Sequence, residues 1–136
     1  MKKETSIIFI LLTILSSHSG FGQKSFNNCS AAFLNNKMLV NKYSPAGKCT
    51  VSITEKGDLT VNTVELSSTE SKAIDPIMFQ IAIRDKTTGT LTMVSKDKIQ
   101  KIEIQKVLEK CKKGDSIVVL TVNDKYSLPH NEILVL

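Results

Sequence analysis

Short runs in which apolar and polar residues alternate fill most of the chain beyond residue 36, and glycine-bearing turns separate them. Cys49, Val51 and Ile53 alternate with Thr50, Ser52 and Thr54, the pattern of a strand with one buried face. Lys56-Gly57-Asp58 then turns into Leu59 to Leu66, which predicts a hairpin. In the next run Ile77, Phe79, Ile81 and Ile83 line one face, while Gln80, Ala82 and Arg84 line the other. The turn Asp85-Lys86-Thr87-Thr88-Gly89 leads into Thr90 to Ser95, a second hairpin. Ser116 to Val122 is apolar on both faces, as a central strand requires, and Ile133 to Leu136 forms the last strand. Lys37 to Tyr43 adds a less regular one.

One stretch changes period. Ile104, Val107, Leu108 and Cys111 fall at i, i+3, i+4 and i+7, which predicts one short helix near 104–112. Lys110, Lys112 and Lys113 complement the partial negative charge of its C-terminus, and Gly114 is placed to stop it. Short strands, hairpin turns and one small helix predict an all-β fold, an immunoglobulin-like antiparallel β-sandwich, with a closed barrel as the competing architecture.

The start of the chain reads differently. Met1-Lys2-Lys3 is positive, Ile7 to Leu15 is almost unbroken apolar sequence, and Ser16 to Gly22 is mostly small and polar, the three-part layout of a secretory signal peptide. A membrane-spanning helix needs about 20 apolar residues, so this run is too short for a permanent anchor. Gly20-Phe21-Gly22 places cleavage before Gln23. The expected organisation is therefore a signal peptide over 1–22, an N-terminal lead-in over 23–36 and a sandwich domain over 37–136. The expected location is outside the cytoplasm, periplasmic or extracellular.

Composition narrows the function classes. The 136 residues suffice for one domain, only 5% are aromatic and there is no Trp. Stacking platforms for single-stranded nucleic acid need exposed rings, and phosphate-cradling G-x-x-x-x-G-K or G-x-G-x-x-G runs are missing, so neither nucleic acid nor nucleotide is expected as a partner. The membrane is expected to be touched only through an uncleaved leader. Three cysteines follow the leader: Cys29, Cys49 and Cys111. Cys49 and Cys111 stand at element ends and are the preferred disulfide pair, with buried reduced thiols as the alternative.

The succession Phe79-Gln80-Ile81-Ala82-Ile83, a Thr88-Gly89 turn, Val107-Leu108 and then Lys112-Lys113-Gly114-Asp115-Ser116-Ile117 resembles the β-domains of the GldM family, periplasmic proteins of gliding-motility and type IX secretion machines. The likeness spans Phe79 to Val122. It implies an envelope interaction module without catalysis, and the long membrane-anchored architecture of that family has no counterpart here.

The candidate chemistry is sparse. His130, in Pro129-His130-Asn131-Glu132, would be a general base if Glu132 oriented it, but Pro129 and Asn131 fit an ordinary turn before the last strand. Cys111 lies among Lys110, Lys112 and Lys113, which would lower its pKa if it were exposed, whereas its place in the apolar stripe predicts burial. The aspartates sit mostly in turns, with no pair privileged by spacing, and no cofactor or metal is implied. Lys106, Lys110, Lys112 and Lys113 form a candidate partner-binding patch, and the loops over 67–76 and 125–131 are further candidates. The chain is thus expected to be an exported, non-enzymatic interaction module of the bacterial cell envelope that binds a protein through loops, an edge strand or its lysine-rich face. The alternatives are a small exported enzyme using His130 or Cys111, or a periplasmic inhibitor or immunity protein.

Overall fold

The computed structural model describes residues 29–66, 71–122 and 125–136. The leader over 1–22, the lead-in up to residue 28, residues 67–70 and residues 123–124 lie outside the described residues. Among the described residues ten strands and one helix follow in the order β1 (Ser30–Leu34), β2 (Lys37–Met38), β3 (Thr50–Val51), β4 (Asp58–Leu66), β5 (Ser71–Pro76), β6 (Phe79–Arg84), β7 (Leu91–Met93), β8 (Lys101–Glu103), α1 (Ile104–Leu108), β9 (Ser116–Thr121) and β10 (Glu132–Val135).

They form two five-stranded sheets. The first runs β2-β1-β4-β5, with β8 also paired to β4, and the second runs β3-β10-β9-β6-β7. One apolar core lies between them. Ala32, Leu34, Leu59 and Val61 come from the first sheet, Phe79, Ile81, Ile117, Val119, Ile133 and Val135 from the second, and Ile104, Val107 and Leu108 from α1. Phe79, Ile81, Ile117 and Ile133 are fully buried, so the alternation in the sequence reports the inward face directly. The all-β sandwich expected from the sequence is the architecture observed.

The pairing differs from expectation at three places. The run Cys49 to Thr54 yields only Thr50–Val51 as strand, and it pairs parallel to β10 at the edge of the second sheet. It makes no hairpin with β4, because the turn at Gly57 crosses from one sheet to the other. Gly57 has φ +126, and the side-chain amide of Asn35 brackets the turn, donating to the Lys56 carbonyl at 3.2 Å and accepting from the Asp58 amide at 3.1 Å. The sheet also begins earlier than expected. Ser30–Leu34, inside the segment read as a lead-in, is a buried strand paired with both β2 and β4. Finally β5 occupies part of the stretch read as a loop. Residues 72 to 76 are all exposed, so no apolar period marked that strand.

The helix is shorter than its apolar stripe. After Leu108 the chain tightens through i to i−3 bonds, Lys110 N–H to the Val107 carbonyl and Cys111 N–H to the Leu108 carbonyl, both 3.0 Å. That tightening keeps Cys111 against the core. No helix among the described residues is long and apolar enough to cross a membrane.

Candidate functional site

Because Ile104, Val107, Leu108 and Cys111 face inward, the residues between them face water. Lys106, Lys110, Lys112 and Lys113 are all exposed, on α1 and the turn that follows it. The patch therefore follows from the same stripe that builds the core. No side chain caps the helix at Glu103; instead the Ile104 amide donates to the Gly57 carbonyl at 2.8 Å, fixing α1 across one end of the sandwich.

The turn from α1 into β9 depends on Gly114 and Asp115. Gly114 has φ +97, and its amide donates to the Val135 carbonyl at 2.7 Å. Asp115 is only 5% exposed. One of its carboxylate oxygens accepts the Lys112 amide at 2.8 Å, and the other accepts the Lys86 amide at 3.1 Å. This carboxylate joins two turns that lie far apart in sequence. The Lys86 side chain then runs over Gly114: a methyl group there would collide with Lys86 Cδ and lie 3.2 Å from its Nζ. Lys86 thus stands beside the lysines of the α1 turn, a neighbour that sequence reading missed. No local pattern identifies it, because the juxtaposition exists only through the β6–β7 and α1–β9 connections.

Asp85 shares this corner. The amides of Thr88 and Thr87 hold its carboxyl below the usual carboxylate range, and nearby Lys112 adds to the effect. Among the described residues, none of Lys86, Lys106, Lys110, Lys112 and Lys113 is in an ion pair; the pairs found join Arg84 to Glu132 and Lys101 to Asp58.

His130 lies at the opposite end of β10 from this corner. Its Nε2–H donates to the Ser44 carbonyl at 2.8 Å, and its ring meets Tyr43 edge-on with centroids 5.4 Å apart. Nδ1 is buried without a hydrogen-bond partner among the described residues. Glu132 does not orient it, since that carboxylate binds Arg84 at 2.9 Å. Tyr43 in turn donates to the Ser30 carbonyl at 3.0 Å. His130 therefore pins the 41–48 excursion to the sandwich.

All three cysteines are free thiols, so Cys49 and Cys111 are not bridged. Both belong to the central core, and burial pushes each thiol up to about 11. For Cys111 the neighbouring Asp115 charge adds to burial, and the surrounding lysines do not reverse it. Its Sγ–H donates to the Val107 carbonyl at 3.4 Å.

The two candidate loops meet. Ile74 and Asp75 from one, and Lys125 and Tyr126 from the other, line a cleft of ≈ 700 Å³ together with Thr63, Val64, Glu65 and Leu66. Neither His130 nor Cys111 lines it. Among the described residues no group of three His, Cys, Asp or Glu is placed to hold a metal ion.

The fold and the site define a class, an all-β sandwich with a lysine-bearing helical end. Comparison with protein-family models, curated proteins and solved structures finds no match that would narrow it further.

Proposed function

We propose that the mature chain is an exported, non-catalytic interaction module of the bacterial cell envelope, which binds a protein partner through its lysine-rich end. The observation that carries this reading is the set of exposed ammonium groups on α1 and its following turn, unpaired among the described residues and mounted on a segment whose inward face is buried in the core. Export is supported by the leader sequence, and an envelope setting by the resemblance to GldM β-domains. The site chemistry supports binding over catalysis: His130 is engaged with a backbone carbonyl, and Cys111 is held as a thiol at neutral pH.

Charged rims act mainly on encounter rate and partner choice, so the interaction should weaken as salt rises. The test is recovery of partners from a solubilised envelope fraction with wild type and with the triple variant Lys110→Glu, Lys112→Glu, Lys113→Glu. Loss of a specific partner from the triple variant is the expected result. Equal recovery removes the lysine face from the account.

A further inference from the structure

The lysine face is wider than the sequence stretch that suggested it, and it is held in shape from inside. Asp115 ties the turn beginning at Asp85 to the turn ending at Asp115, with one carboxylate oxygen on each backbone. Among the described residues Asp85 hydrogen-bonds only within its own turn and reaches Lys112 through charge alone, so the Asp115 carboxylate supplies the side-chain hydrogen bonds that join the two turns.

We propose that Lys86 belongs to the partner-binding surface together with Lys110, Lys112 and Lys113, that buried Asp115 positions it there, and that the surface it meets is an acidic stretch of protein. This rests on the lysine-face reading above. Lysines act as mobile point charges and suit clustered carboxylates whose spacing is not fixed. Asp85 and Glu109 stand among the lysines, the latter exposed. A uniformly anionic bilayer would meet those two carboxylates with like charge, whereas a protein partner can oppose them with cations of its own. Asp115 is a positioning residue, since it is buried and, among the described residues, its carboxylate accepts hydrogen bonds from backbone amides alone.

The experiment measures binding of a fluorescein-labelled deca-glutamate peptide by anisotropy, at low salt and at physiological salt, with sedimentation of phosphatidylglycerol vesicles as a second arm. Lys86→Glu is expected to weaken peptide binding by about threefold or more, in line with the loss of one exposed charge pair and its replacement by repulsion. Asp85→Asn and Asp115→Asn remove the same charge from the same corner, yet the account gives them opposite signs. Asp85→Asn tightens binding by removing repulsion, while Asp115→Asn weakens it by releasing the two turns. If Asp115→Asn also tightens binding, the positioning role is overturned. If Lys86→Glu changes nothing while the Lys110, Lys112, Lys113 triple variant loses affinity, the inference fails and the lysine-face reading stands. If the triple variant also binds normally, that reading fails as well. Sedimentation with vesicles at physiological salt, without peptide binding, assigns the face to lipid and overturns the protein partner. Should Asp115→Asn not fold, Lys86→Glu and Lys86→Ala decide the matter.

Discussion

Replacing Asp115 with alanine removes the acceptor of two backbone amides at once. Each is a charge-assisted hydrogen bond, at 2.8 Å from Lys112 and 3.1 Å from Lys86, on a carboxylate only 5% exposed. Hydrogen bonds to charged groups contribute about 1.5–3 kcal/mol each, and both donors here are partly reached by water, so the lower half of that range applies. The expected loss is about 3–4.5 kcal/mol, a large share of the 5–15 kcal/mol typical of a small domain. With a urea dependence of about 2 kcal/mol per molar, the unfolding midpoint should fall by about 1.5–2.3 M. Asp115→Asn keeps one acceptor oxygen and should lose about half as much. Equilibrium urea unfolding followed by far-UV circular dichroism makes the measurement, with Asp85→Ala, at a half-buried carboxylate bonded only within its own turn, as the comparison. A midpoint for Asp115→Ala no lower than that of Asp85→Ala would refute the idea that this carboxylate clamps the corner.

Three further outcomes follow from burial. With thiols pushed up to about 11, Cys49 and Cys111 carry about one thiolate in a thousand at pH 8, so both should react with a disulfide reagent far more slowly in the folded protein than after urea unfolding; equal rates would contradict their placement in the core. Stability should also decline at alkaline pH. Tyr43 is pushed up to about 12 and the two thiols to about 11, all chiefly by burial, so the folded state favours their protonated forms. Their contribution is complete below about pH 9, where the unfolded thiols begin to ionise, and is lost as pH rises through 9 to 12; a melting temperature flat across that interval would count against it. Finally, His130→Ala removes the bond to the Ser44 carbonyl and the contact with Tyr43, and should destabilise by about 1–3 kcal/mol in thermal melts while leaving binding at the lysine end unchanged. Loss of binding with full stability would make His130 a site residue after all.

The sequence disclosed those elements whose side chains face two different environments. Phe79, Ile81 and Ile83 against Gln80 and Arg84 located β6, and the stripe from Ile104 to Cys111 located α1, because burial on one side imposes a period. It was silent where both faces share one environment. Ser71–Pro76 carries exposed residues throughout from Lys72 onward, and Ser30–Leu34 is buried on both faces, with Ala32 and Leu34 in the central core and Ala31 and Phe33 in a second cluster with Val64. Long-range pairing was equally hidden. Nothing local in Thr50–Val51 distinguishes a hairpin partner of β4 from a parallel partner of β10. At the candidate site the four lysines of α1 and its turn were legible from one helical stripe. Lys86 was not, since Asp115 reads locally as an ordinary turn aspartate and its second amide partner lies 29 residues away.

The central claim is that the end of the sandwich bearing α1 meets a protein partner outside the cytoplasm. Site-specific photo-crosslinking in growing cells tests it most directly, with the photoreactive residue placed at Lys110 or, at the other end, at Lys48. The account predicts one discrete protein adduct in the envelope fraction from position 110, competed by salt in isolated envelopes and lacking from position 48. Equal labelling from both positions, or adducts confined to the cytoplasmic fraction, would contradict it.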